Sequence, residues 1–169
     1  MAPGELATLY DAHAPALYAY LLNLMRSEAD ACDLLQELFV RVASRPGLLE
    51  GVAETRGFLI RLAHHAAVDA IRQRESLRRA HAGLAESKPT PFVPATNPDE
   101  AALQSSLALA LGELPEEQRA VVHLKLWEDY TFEAIAELLG LSPNTAASRY
   151  RYAMEKLRAR LRPLYDEIR

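Results

Sequence analysis

The sequence predicts an all-α protein: two small helical domains joined by a Pro-rich linker, the C-terminal domain containing a helix-turn-helix. Three observations carry this. Apolar residues recur at three- and four-residue spacing over most of the chain, in which half of the 169 residues are hydrophobic and only 7 are glycine. Residues 82–98 break that spacing with Gly83, Pro89, Pro91, Pro94 and Pro98, which bars a continuous helix and reads as a tether. Between Thr131 and Leu161 a short amphipathic stretch, a glycine stop and a Ser-Pro start follow one another in the order two helices need.

The first helix is predicted over residues 4–26, with a kink at Pro15 and an apolar face of Leu6, Leu9, Tyr10, Leu17, Tyr18, Leu21, Leu22 and Met25. Ser27 then supplies a capping oxygen, and Glu28 and Asp30 suit the positive end of a second helix running to about Ser44. That helix turns Cys32, Leu35, Leu38, Phe39 and Val42 inward and offers Asp33, Gln36, Glu37 and Arg41 on its other face. Pro46 ends it, and a loop bracketed by Gly47 and Gly51 runs to about Ala53. A third helix from Glu54 or Thr55 to Ala80 is expected to bury Phe58, Leu59, Leu62, Ala66, Val68 and Ile71, with Arg56, Arg61, Arg72, Arg74, Arg78 and Arg79 around the rest. After the linker come a helix over 99–112 and another opened by Pro115, Glu116 and Glu117, rich in Val121, Val122, Leu124 and Leu126. Trp127 closes the latter and is expected to anchor the core.

The helix-turn-helix follows. Phe132, Ile135, Ala136, Leu138 and Leu139 mark one helical face, Gly140 provides the left-handed stop, and Leu141 fills the corner. Ser142 and Pro143 form an N-cap and first-turn pair. In the second helix Ala146, Tyr150, Ala153, Leu157 and Leu161 point inward, while Asn144, Thr145, Ala147, Ser148, Arg151 and Tyr152 fall at the end that would enter a major groove. Arg149, Lys156, Arg158, Arg160 and Arg162 add cationic charge suited to phosphate.

The net charge of −4 conceals alternation. Residues 56–81 carry six basic and two acidic side chains, a local +4, and residues 142–169 carry seven and three, again +4. The other two segments, 1–55 and 82–141, are acidic, so charge location admits a nucleic-acid partner. The single cysteine, Cys32, excludes an internal disulfide and a multi-Cys zinc site, and is expected to pack as a small apolar residue. Adjacent His64 and His65 point about 100° apart on a helix, which argues against a shared metal. No glycine-rich phosphate loop, nucleophile elbow or paired catalytic constellation occurs, so neither an enzyme nor a cofactor is expected. No signal segment opens the chain, and its richest apolar stretch, Ala14 to Met25, is too short to span a bilayer. A cytoplasmic protein without membrane insertion is expected.

Three stretches resemble one family, the extracytoplasmic-function (ECF) sigma factors of bacterial RNA polymerase, within the sigma-70 group. The run Ala31 to Val42 is similar to the family's polymerase-binding helix, Thr55 to Arg72 to its promoter-melting helix, and Leu114 through the helix-turn-helix to its minus-35-reading domain. The resemblance covers nearly the whole chain and implies domains over 1–81 and 99–169 with the linker at 82–98. It implies that Asp33, Gln36, Glu37 and Phe39 grip core RNA polymerase, and that the Pro46–Ala53 loop receives a base flipped from the minus-10 element of promoter DNA. Arg56, Arg61, His65, Asp69 and Arg72 are implied to line the DNA beside that loop. Asn144, Thr145, Ser148, Arg149 and Arg151 are implied to contact the minus-35 duplex. An anti-sigma factor is the further partner the resemblance implies. Four positions depart from the family pattern: His65 replaces a common asparagine, Ala146-Ala147 a frequent Val-Lys or Val-Arg pair, and Tyr152 a common arginine. Promoter preference is therefore expected to be this chain's own. Two other readings compete: a sigma-like decoy that sequesters an anti-sigma factor, and a stand-alone repressor or activator. The basic segment 56–81 opposes the first, and the Asp33–Phe39 block opposes the second.

Overall fold

The computed structural model describes residues 3–80 and 98–167, which form seven α-helices and one 3₁₀ turn without a strand. The chain divides into two compact units, residues 1–87 and 88–169. Residues 82–97 of the predicted linker, Phe92 and Val93 among them, lie outside the described residues.

In the first unit α1 (Pro3–Met25), α2 (Glu28–Ser44) and α3 (Thr55–Ala80) pack on one another. Pro15 sits within α1 on an exposed position, where its missing N–H leaves the core side of the helix undisturbed. Arg26, at φ 56°, reverses the chain after α1, and the Ser27 hydroxyl accepts the Asp30 N–H at 3.4 Å to open α2. The core is built from Leu17, Tyr20, Leu21 and Leu24 of α1, Ala31, Leu35, Leu38, Phe39 and Val42 of α2, and Leu59, Ile60, Ala63 and Ala67 of α3. The α3 contribution differs from the predicted stripe. Its deepest positions are Ile60, Ala63 and Ala67 beside Leu59, whereas Phe58, Leu62, Ala66, Val68 and Ile71 are only partly buried. The buried stripe thus mixes the large Leu59 and Ile60 with the small Ala63 and Ala67, and the other large side chains flank it. Cys32 is likewise only partly buried.

Two polar contacts tie distant parts of this unit. The fully buried Tyr20 pairs its hydroxyl with His64 Nδ1 at 2.9 Å, and burial pushes that phenol's pKa up. Arg74 donates to Asp30, linking the late turns of α3 to the start of α2. Partial burial alone would raise the Asp30 carboxyl, but the Arg74 and Ser27 hydrogen bonds and the Arg74 charge together hold it below its ordinary 3.8. A lowered carboxyl pKa stabilises the fold above its unfolded value, and that contribution is lost as pH falls through the folded value. Asp30→Asn is therefore expected to cost about 0.5–1 kcal/mol at pH 7, the modest figure suiting a partly exposed pair. The difference from the parent should shrink as urea titrations are taken from pH 7 to below pH 4.

In the second unit α4 (Pro98–Gly112), α5 (Glu116–Leu126) and α6 (Phe132–Leu139) surround α7 (Pro143–Glu167). Ala110, Leu111 and Leu114 meet Val122 of α5 and Ala153 and Leu157 of α7. Two polar residues of α5, Arg119 and His123, are also buried, and Arg119 donates to the Leu114 carbonyl. Trp127 is not the core anchor expected of it. It lies one residue past α5, is 44% exposed, and stacks on His123 with ring centroids 5.3 Å apart. The interior of α5 is already filled by Ala120, Val121, Val122, His123 and Leu124, which leaves the residue after the last turn outside. Leu126, the last residue of α5, is exposed as well.

Candidate nucleic-acid interface

Three surfaces carry the residues singled out in the sequence. On α2, Asp33, Gln36 and Glu37 are exposed on one helical face, opposite the buried Ala31, Leu35, Leu38 and Val42. Phe39 does not share that surface. It is 7% exposed and packs against the Tyr10 ring at 4.8 Å, so it supports the face from beneath. Val40, 67% exposed, does share it. Its spacing of seven, four and three residues from Asp33, Gln36 and Glu37 was the available signal. Polarity alone directed attention past it.

The loop after α2 is a series of tight turns. Pro46–Leu49 forms the 3₁₀ turn, Leu48 N–H donates to Arg45 O at 2.9 Å, Glu50 N–H to Gly47 O at 3.2 Å, and Val52 N–H to Leu49 O at 3.2 Å. Gly51 takes φ 73°, a conformation that glycine adopts without strain. Glu54 then closes the loop onto α3 by accepting the N–H groups of Arg56 and Gly57. Its capping role was not foreseen, because Glu is a less usual cap than Ser, Thr, Asp or Asn. Along α3, Arg61, His65, Asp69 and Arg72 are all exposed and fall at four-, four- and three-residue steps, a single row opposite Leu59, Ala63 and Ala67. The Arg61 guanidinium lies 5.4 Å from the Phe58 ring centroid, which holds it beside the loop end of the row. Arg56 is not in the row. It is partly buried and lies about 140° round the helix from Arg61.

The third surface is the start of α7. Thr131 caps α6 by accepting Ala134 N–H at 3.2 Å, and Gly140 ends it at φ 68°, ψ 40°. Leu141 N–H reaches back to Ala136 O at 2.9 Å, completing a Schellman closure. Ser142 caps α7, its hydroxyl accepting Thr145 N–H at 3.1 Å and lying 2.8 Å from the Thr145 hydroxyl. Asn144, Thr145 and Arg151 are exposed and Ser148 is partly so, on the side away from Ala146 and Ala153; Arg149, three residues after Ala146 and four before Ala153, is partly exposed at the edge of the packed face instead. The Phe132 and Tyr150 rings, 5.6 Å apart, brace α6 against α7. A Cβ at Gly140 would meet nothing within 4 Å. Gly140→Ala should therefore cost only the left-handed backbone strain, about 1–2 kcal/mol, and Gly140→Asn less, as measured by urea unfolding.

Among the described residues no group of three or more His, Cys, Asp or Glu side chains converges to hold a metal ion. No described helix is long and apolar enough to cross a membrane. What these surfaces offer is recognition: an acidic face on α2, a mixed row of cations and polar groups on α3, and a capped, arginine-bearing helix that can enter a DNA groove.

Such surfaces suit a nucleic-acid partner, and comparison with known proteins gives the class. The family model for Sigma-70 region 2 matches residues 9–77, and that for Sigma-70, region 4 matches residues 104–157. The RNA polymerase sigma factor CarQ of Myxococcus xanthus is 34% identical over 160 residues, covering 95% of this chain and 91% of that protein. The ECF RNA polymerase sigma factor SigL of Mycobacterium tuberculosis is 35% identical over 161 residues, covering 92% and 88%. The fold is shared with the sigma factor RpoE in its co-crystal structure with the anti-sigma factor NepR from Bartonella quintana, at a TM-score of 0.78 and 19% identity over 94% of this chain and 97% of that one. The chain belongs to the ECF group of sigma-70 RNA polymerase sigma factors. It is a promoter-specific transcription initiation factor that works with RNA polymerase, a regulator rather than an enzyme.

Proposed function

We propose that this chain binds core RNA polymerase through α2, reads the minus-10 element with α3 and its preceding loop, reads the minus-35 element with α7, and begins strand separation. The observation that carries this is the presence, in one chain of this family, of an acidic exposed face on α2 and cation-bearing rows on α3 and α7. Asp33, Gln36 and Glu37 make the polymerase contact, buttressed by Phe39 and extended by Val40. The turns of residues 46–53 form a pre-shaped receptacle for a base flipped from the non-template strand. Such a receptacle matters because extrusion costs a few kcal/mol of stacking and pairing. Arg61, His65, Asp69 and Arg72 line the strand beside it, and Arg56 serves at its base. Asn144, Thr145, Ser148, Arg149 and Arg151 meet the minus-35 duplex, where the arginines supply phosphate neutralisation. The functional division is 1–81 for polymerase and minus-10, 82–98 for the tether, and 99–169 for minus-35. The protein acts in the cytoplasm. An anti-sigma factor is its further partner, by analogy with the RpoE–NepR complex.

Run-off transcription with purified core polymerase and a pool of genomic promoters tests this. Protein-dependent transcripts are expected, and Asp33→Ala together with Glu37→Ala should reduce them at least tenfold while leaving the fold intact, because both side chains are exposed. Absence of core binding by the parent protein would refute the assignment.

A further inference from the structure

We propose that Tyr152 is a base-reading residue of α7 and selects a T·A pair by packing on the thymine methyl group. The proposal rests on the assignment of α7 as the minus-35 reader and specifies what one of its positions recognises. A single exposed aromatic needs no explanation in itself. Tyr152 is distinguished by its position and its neighbour. It is 51% exposed, the one large apolar side chain left so between Pro143 and Arg162 of α7. It stands four residues after Ser148 and seven after Thr145, on the side of the helix away from Ala146, Ala153 and Leu157. Seven residues advance about 10 Å along a helix, which places Tyr152 about three base-pair steps from Thr145 in the same groove.

The neighbour is Arg151, whose guanidinium lies 5.1 Å from the Tyr152 ring centroid. That contact covers one side of the ring and restricts it before DNA arrives, lowering the entropy lost on docking. In the major groove the C5-methyl of thymine is the apolar feature to which a ring can add buried area, whereas cytosine presents an amino donor. Guanine is the partner of an arginine or lysine, through O6 and N7, and a neutral phenol cannot reproduce that bidentate contact. Tyrosine at this position therefore favours T·A, and arginine there would favour G·C.

The test uses holoenzyme assembled from the full chain and core polymerase. Upstream duplexes are selected from a randomised library, and each thymine of the selected element is then replaced singly by uracil, which removes only the methyl. At one position the replacement should weaken binding about fourfold, the worth of one buried methyl-sized group, for the parent and for Tyr152→Phe. Tyr152→Ala should bind the thymine and uracil duplexes equally, and selection with Tyr152→Arg should return guanine at that position. Indifference of the parent to every replacement overturns the proposal, as does retained sensitivity in Tyr152→Ala. A uniform loss with Tyr152→Phe on all duplexes also overturns it, since the hydroxyl would then be holding a phosphate. Failure to enrich any upstream element would refute the assignment of α7 itself, and the Tyr152 proposal with it. Circular dichroism of each variant confirms folding, which an exposed position should preserve.

Discussion

Replacing Tyr20 by alanine is expected to cost about 3–5 kcal/mol and to melt the first unit at physiological temperature or close to it. Tyr20 is fully buried where α1 meets α3, and its hydroxyl pairs with His64 Nδ1. Truncation therefore removes a large apolar ring, opens a cavity, and strips a half-buried imidazole of a hydrogen bond. A unit of this size has a total stability of about 4–13 kcal/mol, so the loss takes a large share of it. The transition of the first unit should fall by at least about 12 °C. Tyr20→Phe separates the two contributions: it keeps the ring and should cost only about 1–2 kcal/mol. Hydrogen exchange is the deciding measurement. Amides of α1 to α3 should lose protection in Tyr20→Ala, while those of α5 to α7 keep theirs. Equal loss throughout both units would contradict the division of the chain into two compact cores.

Ile135→Ala is expected to act on the other unit at about 2–5 kcal/mol. Ile135 is fully buried in α6, a helix of only eight residues, Phe132–Leu139. So short a helix has little stability of its own and is held by its apolar face against α7. With Ile135 truncated, Ala136 and Leu138 remain as its buried contacts, and the angle between α6 and α7 loses definition. The functional consequence should be selective: the Ile135→Ala protein should bind core polymerase as the parent does, and the holoenzyme it forms should lose discrimination of the upstream promoter element at least tenfold. Filter binding with matched and scrambled upstream duplexes reads this directly. Undiminished discrimination would show that α7 holds its geometry without α6.

The helices themselves were largely legible because the signals that start and stop them are local. Ser27 before α2, Thr131 before α6, the left-handed Gly140 and the Ser142-Pro143 start of α7 each act through hydrogen bonds or dihedral preferences spanning a few residues. Helical spacing aligns Asp33 with Gln36 and Glu37 on α2, whereas Arg61, His65, Asp69 and Arg72 of α3 were grouped, together with Arg56, by the family resemblance. Family resemblance added their roles, which spacing does not contain.

Depth was less legible, because it depends on what each face meets. Periodicity weighted the large side chains of α3, yet Ala63 and Ala67 are buried as fully as Leu59 and Ile60, while Phe58, Leu62, Val68 and Ile71 are only partly covered. Tyr20 was passed over in α1 although it occupies the centre of the core, and Phe39 proved a buried support beneath the surface it was expected to form. Trp127, the largest side chain in the second unit, lies outside because α5 ends one residue before it and the interior is already filled. Arg56 belongs to the basic segment by sequence but leaves the exposed row of α3 by its angle on the helix. The sequence by itself determined, to within a residue or two, where the helices begin and end, and which family the chain resembles. Those features arise within a few turns of chain. Only the tertiary structure decided which apolar residues are core and which are surface, because burial is settled by the shape of the facing helix, and one sequence stretch carries no record of its partner's shape.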